Sequence, residues 1–334
     1  MLTSERPSRI KIALVVYGVG QSGICVTTSI GTHPVMKLHH LRDFLAVAEC
    51  GSIHAAARHL GLSQPSISRS IRDLEKELGV PLLDRGGRGA PLTAMGMLFA
   101  RRANASVSEL RKAREEILQA QGSVQGTVAA CVSSLCHVAL LPHALKPFST
   151  RYPRVALHIV EASYPAVEAR LKSGAIDIYV GPEPAGAPAQ ELQLEKLFDT
   201  TRVVVSRKGH PLVKARSLAE LVDCDWITTS ITHRAEAELG ELFISRGLPP
   251  PHLALRAETA LTWITALTNT DVLSITPRQS ADSPTFKPLV EVLNLRESLS
   301  GPTIVLIRRS AVPPTPAAEF LCDLFRRTAA RYPR

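Results

Sequence analysis

Gln64, Ser66, Ser68, Arg69 and Arg72 crowd one short stretch of the chain, and Arg85 and Arg88 follow closely. Their chemistry is hydrogen bonding rather than proton transfer or nucleophilic attack. A glutamine amide can bond adenine N6 and N7, a guanidinium can bond guanine O6 and N7 or a phosphate, and a serine hydroxyl serves either. A second set comprises Ser133, Ser134, Ser163, Tyr164, Thr229, Ser230, Pro277 and Arg278, each placed just after an expected strand. Hydroxyls and helix-opening N–H groups beyond strand ends suit a small anion, although Ser133 and Thr229 could equally do no more than cap their helices. The chain has no nucleophile elbow, no glycine-rich phosphate loop and no carboxylate pair in a catalytic setting, so neither an enzyme nor a cofactor is expected. His137, His143, His210 and His233 lack metal-ligand spacing, and no metal is expected. Cys131 and Cys136 lie near the second set, where a redox role competes with the plainer reading of buried, inert thiols.

The first set needs a helix with a packed back. Leu38, Leu41, Leu45 and Ala48, with Phe44 beside them, recur at helical spacing, and Gly51 stops that helix. Ser52 can cap a short second helix, Ile53 to Leu60, whose Ala55, Ala56 and Ala57 permit close approach of a neighbour. Gly61 provides a sharp turn. Ser63 then caps a third helix with Pro65 in its first turn, where a missing N–H does no harm. At 100° per residue, Ile67, Ile71, Leu74 and Leu78 fall within an arc of about 60°. Pro65, Ser68, Arg69 and Arg72 occupy the other side, with Gln64 and Ser66 projecting from the first turn. Gly79 and Pro81 end the helix, and Gly86, Gly87 and Gly89 allow a hairpin carrying Arg85 and Arg88, suited to phosphate or minor-groove contact. Spacing alone also allows a three-helix bundle with a merely solvated polar face.

The run L-S-Q-P-S-I-S-R-S-I-R-D-L-E-K-E-L-G-V-P-L-L-D-R followed by P-L-T-A-M-G, preceded by G-S-I-H-A-A-A-R-H-L-G, resembles the N-terminal domain of LysR-type transcriptional regulators. The match runs without a gap from Met36 to about Gly96. It implies a winged helix-turn-helix with Ser63, Gln64, Pro65, Ser66, Ser68, Arg69 and Arg72 on the recognition helix, and Arg85 and Arg88 in the wing. Leu83 departs from the pattern, standing where an aromatic residue is usual. Thr93 can cap a further helix to about Gln121, with Ala103, Val107, Leu110 and Ile117 at heptad-like spacing and Arg114 interrupting it. A surface helix fits that pattern as well as a coiled coil does; the resemblance implies pairing with the same helix of a second copy. Gly122 and Gly126 read as a flexible joint.

From Thr127 the texture becomes α/β. Strands are expected at 127–132, 156–161 and 175–181, with helices at 135–151 and 166–172, giving a βαβαβ unit with a parallel sheet. A second set follows, with strands at 202–206, 226–228, 252–256 and 272–276 and helices near 233–246 and 261–269. A strand at 303–308 and a helix at 314–331 close the chain. L-K-S-G-A-I-D-I-Y-V-G and T-P-A-A-E-F-L-C-D-L-F resemble the periplasmic-binding-protein-like effector domain of the same family, which implies two Rossmann-like subdomains joined by crossovers near 194–197 and 301–304. The expected organisation is mixed: an extension at 1–35, an all-α winged domain at 36–95, a linker helix and hinge at 96–125, and an α/β effector domain at 126–334. Within the last, subdomain I takes about 126–197 and 303–334, and subdomain II about 198–302.

The 334 residues carry a net charge of +9, compatible with double-stranded DNA as partner, and 45% are hydrophobic, enough for buried cores. Six scattered cysteines without a Cys-x-x-Cys pair point away from a zinc ribbon or disulfide scaffold and toward a reducing compartment, the cytoplasm. No stretch is long enough to span a bilayer, so no membrane role is expected. Residues 1–35, with Arg6, Arg9 and Lys11 before Ile12–Val16, faintly resemble a secretory signal. The preferred reading is a disordered arm or a start codon read too early, with Met36 as the natural beginning. The expected function is a bacterial DNA-binding regulator, a dimer or tetramer answering to a small, anionic organic-acid effector and contacting RNA polymerase. The competing readings are an exported solute-binding protein for transport and an enzyme on the α/β part.

Overall fold

The computed structural model describes residues 36–84, 89–122, 124–162, 164–186, 188–229 and 235–332. The reading of 1–35 therefore lies outside the described residues. The chain divides into two compact units within one helix, the first ending at Val107 and the second starting at Ser108.

The N-terminal unit consists of α1 (Leu38–Cys50), α2 (Ile53–Leu60), α3 (Gln64–Leu78) and the first turns of α4 (Ala94–Ala120). Gly51, Gly61 and Gly79 end the first three helices at φ 70°, 65° and 71°, a region in which a side chain would be strained. Ser52 Oγ accepts the Ala55 N–H at 3.1 Å and opens α2. Phe44, Val47, Ala56, Ile67, Ile71, Leu74 and Leu82 form the core, each at 4% exposure or less. Complete burial of one such side chain contributes roughly 1.5–3 kcal/mol. The wing begins as expected: Leu83 and Leu92 form an antiparallel bridge, and Glu75 Oε1 accepts the Leu82 and Leu83 N–H groups at 2.9 and 3.2 Å. Leu83, in place of an aromatic, is buried in that core. Thr93 Oγ1 accepts the Gly96 N–H at 2.9 Å, capping α4.

The C-terminal unit follows in the order β1 (Gln125–Val132), α5 (Ser134–Ala139), α6 (Leu141–Arg151), β2 (Arg154–Val160), α7 (Tyr164–Lys172), β3 (Ile178–Pro182), β4 (Leu192–Phe198) and β5 (Thr201–Arg207). Next come β6 (Asp225–Thr229), α8 (Ala235–Ile244), β7 (His252–Ala257), α9 (Ala260–Asn269), β8 (Ser274–Pro277) and α10 (Arg278–Ala281), then β9 (Val290–Leu293), β10 (Leu299–Ser300), β11 (Ile304–Arg309) and α11 (Pro316–Ala329). The first sheet has the order β2-β1-β3-β11-β4. Its βαβαβ part is parallel as expected, β1 pairing with β2 and β3 in parallel, and β11 is added antiparallel to β3 and β4. The reason is topological, since the chain leaves this half through β4 and returns through β11. The expected helix at 135–151 is two helices, because Pro142 has no N–H to continue α5 and its ring crowds the preceding turn.

The second sheet places β5 between antiparallel partners β8, β9 and β10, while β6 and β7 pair in parallel and Trp226 bridges to Leu273. The crossovers are tied where they meet. Thr200 Oγ1 donates to Pro302 O at 2.7 Å, Gly301 N donates to Thr200 O at 3.0 Å, and Thr303 Oγ1 donates to Asp199 Oδ1 at 2.8 Å. Gly122–Gly126, expected as a flexible joint, is spanned by Gln119, whose Nε2 donates to Gln125 O at 3.1 Å and whose Oε1 accepts the Ala317 N–H at 3.0 Å.

Candidate nucleic-acid interface and effector cleft

Two opposite demands shape α3. Ile67, Ile71 and Leu74 are 0–1% exposed, whereas Ser63, Gln64, Pro65, Ser66, Arg69 and Arg72 are exposed and Ser68 is half-buried. Ser63 Oγ accepts the Ser66 N–H at 3.4 Å, a long bond that still holds the first turn. Arg72 Nε donates to Ser68 O at 3.2 Å, so one guanidinium edge is committed to the helix and the other projects outward. Arg85 and Arg88, assigned to the wing, lie outside the described residues. Arg58, in the last turn of α2, is exposed as well. It was not among the expected residues because a lone arginine in a short helix carries no pattern.

The second set divides. Ser133 follows β1 at the N-cap of α5, its N–H donating to Val180 O at 2.9 Å. Its buried hydroxyl makes no well-formed hydrogen bond and lies beside the Cys136 thiol. Ser134 Oγ donates to Glu161 Oε1 at 2.6 Å. Pro277 faces Arg202 across β8 and β5, and Arg278 is exposed with Asp282 3.5 Å away. The helices that Ser134 and Arg278 open, α5 and α10, pack against each other. Thr229 ends β6, half-buried. The Tyr164 ring packs among Cys131, Val167, Leu171 and Tyr179, 5.5 Å from the Tyr179 ring, because α7 buries its apolar face on the sheet, and its hydroxyl is buried without a partner. Ser163 and Ser230 lie outside the described residues.

Further polar residues at this end were not expected from the sequence. Glu161 places a carboxylate beside Ser134, and Gln279 Oε1 is buried without a partner. Neither has a local signal, since a glutamate after a strand usually faces water. Arg202 is neutralised by Glu238 at 2.5 Å. Three thiols are held neutral: burial pushes Cys131 up to about 11, and Cys136 and Cys322 up to about 12. Among the described residues no group of acidic, histidine or cysteine side chains is arranged to hold a metal, and no helix is long and apolar enough to cross a membrane.

Residues 38–97 match the family model for the bacterial regulatory helix-turn-helix protein of the lysR family, and residues 121–330 match the LysR substrate binding domain. The chain is 28% identical over 302 residues to the SDS degradation transcriptional activation protein of Pseudomonas sp. (strain ATCC 19151), covering 89% of this chain and 97% of that one. It is 28% identical over 255 residues to the HTH-type transcriptional regulator GbpR of Azospirillum brasilense, covering 75% of each. Its fold is similar to full-length CbnR crystallised with its target DNA, with a TM-score of 0.65 and 23% identity, over 87% of this chain and 99% of that one.

Proposed function

The chain belongs to the LysR family of DNA-binding transcriptional regulators, and from that premise we propose how its own residues do the work. The recognition surface is the outer edge of α3. Gln64, Ser66, Ser68, Arg69 and Arg72 meet the major groove, Ser63 and Pro65 set the first turn, and Arg85 and Arg88 reach phosphates from the wing. The observation that carries this reading is the contrast along α3 between Ile67, Ile71 and Leu74, sealed in the core, and the exposed glutamine and arginine edge. The alternative of an exported solute-binding protein is not favoured, because transport has no use for residues 38–97, and the relatives are named as regulators rather than enzymes.

The active species is a dimer or tetramer. Along the C-terminal half of α4 the usual amphipathic order is reversed. Lys112 and Gln119 are 7% and 8% exposed, while Leu110 and Ile117, on the other side, are 55% and 60% exposed. An apolar stripe left in water beside a buried polar one supports a second copy of the same helix as its cover. Paired winged domains then read an inverted repeat, and DNA bending and contact with RNA polymerase follow from their spacing. The setting is the cytoplasm, where the DNA is.

The effector is a small organic acid held between the two halves of the C-terminal unit, with Ser133, Ser134, Thr229, Pro277 and Arg278 as its contacts, Ser163, Tyr164 and Ser230 being assigned to it from the sequence. The Ser133 hydroxyl supports this, since it is buried with only the Cys136 thiol, a weak partner, beside it, and a ligand or water would meet it better. By linkage, effector and DNA each alter the other's affinity. A gel shift on DNA from upstream of the gene tests the regulator reading, and no retardation at any salt would refute it. Isothermal titration against a panel of organic acids tests the cleft, and silence across the panel, or binding unaffected by Ser133→Ala with Thr229→Ala, would remove it.

A further inference from the structure

The polar face of α4 is gripped by the ends of three strands. Lys112 Nζ donates to Gly174 O at 2.5 Å and pairs with Asp177, and both of these side chains are about nine-tenths buried. Ser108 Oγ donates to the same carbonyl at 3.0 Å. Asp177, immediately before β3, uses its other oxygen to accept the Ala129 N–H of β1 at 2.8 Å. Glu109 pairs at 2.5 Å with Arg309, the last residue of β11. Gly174 has φ 71°, a backbone conformation strained for any side chain, and a Cβ there would displace the Glu109 carboxylate, 2.5 Å away, from its place beside Arg309. Gln119 extends the grip to β1 and α11.

The opposite ends of the same strands form the proposed cleft. Gly181 of β3 is pressed against Ser133 and Tyr179: a Cβ on it would lie 2.5 Å from Tyr179 Oη and 3.0 Å from Ser133 Cβ. From Asp177 to Gly181 is four residues of extended chain, about 13 Å. A strand that short, hydrogen-bonded on both sides, transmits a shift rather than absorbing it.

We infer that the Ser108–Ala120 half of α4 is a lever latched by Lys112 to Asp177 and Gly174, so that displacement at the cleft end of β1 and β3 moves the helix. This rests on the cleft reading above and names its route to α4. Loss of the latch uncouples the two ends, because a buried ammonium without its carboxylate cannot hold its place.

The test uses the full-length protein without ligand, with a wedge in place of effector. Gly181→Ala, or Ser133→Val should the first fail to fold, is compared with the unaltered chain by hydrogen-exchange mass spectrometry. The expected result is a change of at least about fivefold in the exchange of amides 108–120 as well as 129–133 and 178–182. Lys112→Met, or the milder pair Ser108→Ala with Glu109→Gln, abolishes the change in 108–120 but not at the cleft, and Lys112→Arg restores it. A wedge that leaves 108–120 unaltered while the strand ends respond would overturn the lever, as would an equal response with the latch removed. Calorimetric silence of the cleft toward organic acids, with the wedge still reaching α4, would instead fault the effector assignment alone.

Discussion

Replacing Arg69 by alanine separates recognition from folding, because the side chain is exposed on the side of α3 away from Ile67, Ile71 and Leu74. Alanine is at least as good a helix former as arginine, and a surface change of this kind alters stability by no more than about 0.5 kcal/mol. The melting curve should therefore stay put. The effect on DNA depends on what the guanidinium meets. A base contact is worth roughly 1–3 kcal/mol, a loss of about 5- to 150-fold in affinity confined to the specific site. A phosphate contact weakens specific and scrambled DNA alike and lowers the slope of log K against log salt by about 0.9 per contact, or about 1.8 for a symmetric dimer. Fluorescence anisotropy on both DNAs, between about 50 and 200 mM salt, distinguishes the two outcomes. Unchanged affinity and slope for Arg69→Ala, and likewise for Gln64→Ala and Arg72→Ala, would refute the assignment of this edge to DNA.

Leu74→Ala, at a side chain with 0% exposure, should cost about 2–5 kcal/mol and abolish DNA binding through unfolding, seen as an early transition in a thermal melt. Ile117→Glu, on the exposed stripe of α4, should leave the fold intact and weaken self-association at least about tenfold by sedimentation; an unchanged mass at every concentration would exclude that stripe from the interface. Cys131, Cys136 and Cys322 should resist iodoacetamide in the native protein at pH 8 and react only after denaturation. Their folded pKa values lie above the ordinary 9.0, so folding favours the neutral thiols. The stability they contribute is complete below about pH 9 and is lost as pH rises through 11 to 12. A melting temperature that holds steady over that window would contradict their burial.

Much of the N-terminal unit was legible from short-range pattern. Ser52 and Ser63 as caps, Gly51, Gly61 and Gly79 as stops, and the period of Ile67, Ile71 and Leu74 are each decided within a turn or two of chain, where backbone sterics and one hydrogen bond dominate. The positions of most strands in the C-terminal unit were legible for the same reason. The parallel run of β1, β2 and β3 was legible from the βαβ alternation, but the direction of β11 was not: whether it pairs parallel or antiparallel with β3 depends on how a distant segment returns, and the apolar alternation is the same either way. Tyr164 read as a cleft hydroxyl because its position after β2 is all the sequence displays, whereas its ring is drawn into the apolar layer under α7.

The exposed edge of α3 was therefore settled by sequence alone, since a helix that buries one stripe must present the other. The reversal on α4 was settled only by tertiary structure. Lys112 reads as a surface lysine until Gly174, 62 residues away, supplies a carbonyl and Asp177 a carboxylate. The desolvation of a charge is offset by partners that no local pattern can foretell, and only the folded chain brings them within reach.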